Sequence, residues 1–134
     1  MAKESGIGAA VSVDDATPTL QDISNDITNY QLATPRTVQD TTGIDKAAFE
    51  RLLLLADFTI TMNGVFNDAA GKSHAVFKTV PSTSVVRTVT HVVSGQTLSC
   101  ETIVTDYNLT RAAGGELTWS APASLQSGTA PTWS

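Results

Sequence analysis

At 134 residues the chain has the length of one domain with a buried core and is too short for two of ordinary size. Hydrophobic residues at 41% and charged residues at 16% describe a globular protein whose solubility leans on Thr, Ser and Asn. A formal net charge of -5 sets the molecule against phosphate backbones and argues against a DNA-binding module.

Residues 1–18 combine small residues with Asp14, Asp15 and Pro18, a composition expected of a flexible or subunit-contacting arm. From Leu20 to Leu32 apolar residues are spaced among turn-prone Asp, Ser and Asn, which predicts two strands joined near Ser24 to Asp26. Ala33 to Gly43 has no sustained apolar period and reads as a long loop. Asp45 stands before good helix formers as an N-cap, predicting a short helix, while the Leu52 to Leu55 run reads equally as the start of the next strand.

From Asp57 to Phe66 the alternation of Phe58, Ile60 and Met62 with Thr59, Thr61 and Asn63 predicts a half-buried strand. Ser73 is placed to cap a short helix that Pro81 would stop. Ser84 to Val93 reads as a further strand, turned by Ser94-Gly95. It leads into a hairpin whose limbs are Thr97 to Tyr107 and Glu116 to Ala121, with the turn between Asn108 and Gly115. The core faces of these strands should carry Phe58, Ile60, Met62, Leu98, Cys100, Leu117 and Trp119. Beyond Pro122 the chain is rich in Ser, Gly, Thr and Pro, and residues 123–134 are expected to form a second arm anchored by Trp133.

No motif carries chemistry. Gly71-Lys72-Ser73 follows a strand and opens a helix, but the glycine of a phosphate loop would have to stand where Phe66 is. Gly6-Ile7-Gly8 lacks the rest of a dinucleotide fingerprint and its βαβ context. His74, His91 and Cys100 lack the paired spacing of zinc ligands, and Asp22 to Asp26 lacks the glycine and distal glutamate of a calcium loop. Neither histidine belongs to a nucleophile motif, so neither catalytic residues nor a cofactor nor a metal is expected, and the protein is read as a non-enzyme. A single cysteine provides no disulfide framework, and no charged-then-apolar leader or bilayer-length run appears, which places maturation in a cytoplasm without a membrane-spanning segment.

Taken in order, Asp22-Ile23-Ser24-Asn25-Asp26-Ile27-Thr28, Asp40-Thr41-Thr42-Gly43, the strand Asp57 to Phe66, Leu98 to Tyr107, Gly114-Gly115-Glu116-Leu117-Thr118-Trp119 and Leu125 to Gly128 resemble the major tail tube proteins of long, non-contractile phage tails. The resemblance covers most of the chain and rests on the order and spacing of these pieces. It implies a mainly β fold, an antiparallel β-sandwich or open barrel with one short flanking helix, whose sheets join between subunits into a ring-shaped inner barrel. It also implies hexameric rings stacked into a hollow virion tube, assembled in the host cytoplasm, that conducts DNA without binding it specifically. The implied partners are further copies of the chain, a tape measure protein in the lumen, and tail terminator and tail-tip proteins at the ends.

On that reading residues 33–55 form an inter-ring loop, with Pro35, Arg36, Asp40 and Trp133 as inter-subunit residues. The lumen face would hold Asp57, Thr59, Thr61, Asn63, Ser99, Glu101, Glu116, Thr118 and Ser120, a polar and acidic wall that repels passing DNA. Two alternatives stand beside it: a stand-alone β-sandwich binding module, for which aromatic residues at 6% give little material, and an inner tube or connector of a contractile tail.

Overall fold

Alternating segments become antiparallel strands that curl around one apolar core, in a computed structural model that describes residues 3–134. The strands are β1 (Ala10–Asp14), β2 (Leu20–Asp22), β3 (Ile27–Ala33), β4 (Arg36–Asp40), β5 (Arg51–Ala56), β6 (Thr59–Val65), β7 (Arg87–Val93), β8 (Gln96–Val104), β9 (Asn108–Arg111) and β10 (Leu117–Leu125), with one short helix, α1 (Ser73–Phe77). Eight of them form a sheet in the order β2-β1-β7-β8-β10-β6-β3, with β9 also on β10, while β4 and β5 pair only with each other. The fold is therefore mainly β and antiparallel, with one short helix.

The two ends of the sheet approach each other. Ile23, just before β3, donates its N–H to the Val11 carbonyl of β1, and the Tyr30 hydroxyl of β3 meets Nε2 of His91 on β7. Phe58, Ile60, Met62, Leu98, Cys100 and Trp119 are buried as their alternation requires, and Leu117 is half-buried. Ser94 and Gly95, both at positive φ, make the tight β7–β8 turn.

Several elements differ from the sequence reading. The expected N-terminal arm begins at residues 1–2, outside the described residues, but Ala10–Asp14 is an internal strand with Val11 and Val13 buried. The Asp15 carboxylate accepts the Thr17 and Thr19 N–H groups at 2.9 and 2.8 Å, which closes the β1–β2 turn. Those bonds, the Thr17 hydroxyl foremost, hold the carboxyl at a pKa of about 2. Asn108–Arg111, taken as turn, is strand β9, and the tight hairpin is β9–β10. Strand β8 pairs along its length with β7 and meets β10 only at Thr102 to Val104.

Helix α1 forms where expected, but Ser73 is its first residue and not its cap. The helix start is held from across the chain by Asp26, whose buried carboxylate accepts the Ser73 N–H and the Asn67 side-chain amide, both at 2.9 Å. Arg87 is buried on β7 and donates to the carbonyls of Asp14 and Val76 and to the Thr79 hydroxyl, tying β1, α1 and the segment after it to one guanidinium. Its pKa is lowered by burial.

The C-terminal segment, expected from the sequence as an arm anchored by Trp133, is docked on its own subunit. Where β10 diverges from β8, the edge of β8 offers unpaired backbone groups, and Thr97 and Ser134 exchange both N–H···O bonds there while Trp133 opposes Leu98. The Trp133 ring stands edge-on to His91 at 5.8 Å.

His91 is buried among Tyr30, Trp133 and its own sheet, and burial lowers its pKa from the ordinary 6.5. The unfolded chain then binds the proton at a higher pH than the folded one, so stability is full above 6.5 and is lost as pH falls towards the depressed folded value. The urea midpoint of the native protein should drop over that window. The His91→Gln variant should drop less, and equal pH profiles would remove His91 as the cause.

Candidate functional site: an exposed arm and an uncharged sheet face

The β3–β6 ladder does not stop at the sheet. Ala33 pairs with Thr59, the Pro35 carbonyl accepts the Asp57 N–H at 2.9 Å, and the same ribbon continues outward as β4–β5, with Val38 opposite Leu53, Gln39 opposite Leu52 and Asp40 opposite Arg51. The expected loop and short helix between residues 33 and 55 are thus replaced by a hairpin arm, in which residues 43–49 form the tip.

This arm is internally well made. The Arg36 guanidinium donates twice to the Leu54 carbonyl, at 2.8 and 3.0 Å. The Asp40 carboxylate accepts the N–H and hydroxyl of Thr42, which lowers its pKa, the hydroxyl contact being the larger cause. Thr42 in turn accepts the Glu50 N–H, and Arg51 lies 4.5 Å from the centroid of the Phe49 ring. Pro35, Arg36 and Asp40, read from sequence as contacts to another subunit, are the residues that brace the hairpin.

What the arm lacks is cover. Phe49 is 71% and Leu55 83% exposed, and Val38, Ile44, Leu52, Leu53 and Leu54 are exposed as well. Exposed large apolar side chains gathered in this way on one element mark a surface made for contact. A two-stranded ribbon with apolar residues on both faces is marginal in water by itself. At its root a groove of about 870 Å³ runs between Leu53 to Asp57 and the segment Leu125 to Ala130. The sequence reading named Arg36 and Asp57, which line this groove, but did not bring them together with Leu125 to Ala130, which only the fold sets beside the leucines.

The outward face of β9-β10-β6-β3 is the second feature. Ser120 is opposite Asn63, Thr118 opposite Thr110, and Gln31 opposite Thr61. The Asn63 amide donates to the Asn29 side chain at 2.8 Å. Thr59, Thr61, Asn63, Thr118 and Ser120 share this face, joined by Asn29 and Gln31, and none of these positions is charged. The remaining candidates lie elsewhere. Ser99 and Glu101 are on β8, where the Glu101 carboxylate accepts the Thr88 hydroxyl. Glu116 belongs to the β9–β10 turn, and Asp57 sits at the root of the arm, lining its groove.

Among the described residues, no group of three or more His, Cys, Asp and Glu is placed to hold a metal ion, and no helix is long and apolar enough to cross a membrane.

The architecture is one found in chains of solved virion and tail particles. The chain superposes on a chain from the virion of a native gene transfer agent particle with a TM-score of 0.78, at 14% identity, over 98% of this chain and 99% of that one. It superposes on a chain from the tail of an empty gene transfer agent particle, determined with C6 symmetry, with a TM-score of 0.79, also at 14% identity and over the same shares. No protein-family model and no curated protein matches the sequence.

Proposed function

We propose that the protein is a structural virion protein, the tail tube subunit of a long, non-contractile phage-like tail, which polymerises as stacked hexameric rings into a hollow tube that conducts DNA into the host. The observation that carries this reading is the bare apolar arm on a fold shared with a C6-symmetric tail. Seven large apolar side chains left uncovered on one ribbon are the kind of surface that a subunit contact buries.

The sheet supports ring formation in a second way. Within β9-β10-β6-β3, β9 pairs only with β10 and β3 only with β6 among the described residues, so each outer edge keeps unpaired backbone groups. Pairing of the β9 edge of one copy with the β3 edge of the next is heterologous and closes into a ring after a fixed number of copies. In this role the protein would meet a tape measure protein in the lumen and terminator and tip proteins at the tube ends. Electron micrographs of the purified protein at high concentration should show tubes, and a monomer at every concentration would overturn the reading.

The uncharged face of Thr59, Thr61, Asn63, Thr118 and Ser120 is proposed as the lumen wall. Hydroxyl and amide groups keep it hydrated without the counterion-releasing phosphate contacts that lysines make. Thr61→Lys with Ser120→Lys should therefore still give tubes but slow DNA ejection at low salt, with the delay relieved by added salt. Ejection at the native rate at every salt concentration would place this face outside the channel.

A further inference from the structure

We propose that the C-terminal segment is a pH-released clasp: protonation of His91 on β7 frees Trp133 and Ser134 from β8 while the rest of the subunit stays folded. The proposal does not depend on the tube reading. His91 is 4% exposed and lies at the seam where the two ends of the sheet meet. Its Nε2 meets the Tyr30 hydroxyl of β3, the half-exposed Trp133 ring stands edge-on to it at 5.8 Å, and its Nδ1 is buried without a hydrogen-bond partner. A neutral imidazole tolerates that setting. An imidazolium carries an N–H on both nitrogens, and the one on Nδ1 would have no acceptor.

The groups around the ring supply no counter-charge. Tyr30 faces it from β3, Leu98 and then Cys100 lie on the same face of β8, and β1 brings Val11. The C-terminal segment brings Trp133, while Ser134 is engaged with Thr97. None of the side chains facing the ring is a carboxylate, and burial is what lowers the pKa of His91 from 6.5. Once the covering indole leaves, water reaches the ring and its pKa returns towards the ordinary value. The proton therefore favours the released form, so the clasp is closed above 6.5 and opens as pH falls through the window below it.

The clasp can open alone because it is lightly tied. Thr97 and Ser134 exchange two N–H···O bonds at 2.8 and 2.9 Å, and further back along the chain the Gln126 N–H is held on the Glu101 carbonyl at 3.0 Å. Between these ties Thr129 and Thr132 hydrogen-bond within the segment, to Ser127 and Ala130. The segment stands off β8 there, over a cavity of about 240 Å³ lined by Ser99, Cys100 and Glu101. Release of Trp133 and Ser134 would bare the Thr97 edge of β8, whose backbone groups could then pair with another strand, so at neutral pH the clasp keeps that edge closed.

The test titrates the native chain, dilute enough to remain unassembled, with Trp119 and Trp133 both replaced biosynthetically by 5-fluorotryptophan; a Trp133→Phe sample assigns the two fluorine signals. As pH is lowered from about 7.5 to about 5, the Trp133 signal should move to the position of a solvated indole while that of buried Trp119 stays in place. Over the same window the protection of the Thr97 and Ser134 N–H groups against hydrogen exchange, corrected for the intrinsic rate, should fall by about tenfold per pH unit. In His91→Gln neither should change. A Trp133 signal that moves only together with that of Trp119 would mean that the subunit unfolds as a whole, and it would overturn the proposal, as would a Trp133 signal that does not move. The same pH dependence in His91→Gln would assign the release to another group and overturn it as well. Should that variant fail to fold, the reciprocal measurement stands in: in Trp133→Ala the His91 imidazole resonances should titrate nearer to 6.5 than in the native chain, and an unmoved titration would remove the coupling.

Discussion

Replacing Phe49, Leu53 and Leu55 together by Ser is expected to leave a folded subunit and to raise the concentration needed for tube formation at least ~100-fold. These three side chains are exposed in the subunit, so their removal opens no cavity, and thermal stability should move by no more than about 0.5 kcal/mol. In the assembly each would lose about 1.5–3 kcal/mol of burial, and a hundredfold change in the critical concentration corresponds to about 2.7 kcal/mol. Sedimentation and electron microscopy read the assembly, and thermal unfolding of the monomer reads the fold. Tubes forming at the native concentration would show that the leucines are not at a subunit contact. A matching loss of monomer stability would show that they serve the arm instead.

The largest effect on the subunit itself is expected from Gly64→Ala. Gly64 lies on β6 between Trp119 of β10 and Ile27 at the start of β3, and a Cβ there would fall 2.0 Å from the Asp26 carbonyl oxygen and 2.8 Å from Cζ2 of Trp119. Neither neighbour has room to yield. The Trp119 indole N–H is fixed on the Val65 carbonyl at 2.8 Å, and the Asp26 carboxylate holds the start of α1. Overpacking of this kind costs about 3 kcal/mol or more, so the urea midpoint should fall sharply and Trp119 fluorescence should shift towards that of a solvated indole. An unchanged midpoint would mean that β3 and β6 do not approach as closely as described. Without room for a side chain at Gly64, the long β3–β6 ribbon that carries the arm can form only if this position is glycine.

How much of this was legible follows from what local sequence encodes. Period-two alternation marks a strand with one buried face, and it identified Phe58, Ile60 and Met62, then Leu98 and Cys100, and then Trp119 as core, because each strand does bury that face. The same alternation separated Thr59, Thr61, Asn63, Thr118 and Ser120 from the core. It did not show that these five meet on the neighbouring strands β6 and β10 while Ser99 and Glu101 lie along the part of β8 that pairs with β7, since register between strands is set by pairings distant in sequence.

The arm was illegible for the opposite reason. Four consecutive leucines on a ribbon exposed on both faces have no inward side to give them a period, so helix and strand read equally well. Ala10–Asp14 looked like a loose arm because its strand depends on an edge that β7 supplies, from more than seventy residues away. Trp133 likewise depends on the stretch of β8 that β10 leaves uncovered. By itself the sequence determined which face of each alternating strand is buried and that the chain is β-rich, because solvent partition acts on each residue through its own side chain and near neighbours. The tertiary structure alone decided which edges are paired, which carboxylate starts the helix and which apolar surface is left without cover, because each of those depends on groups that only the completed fold brings together.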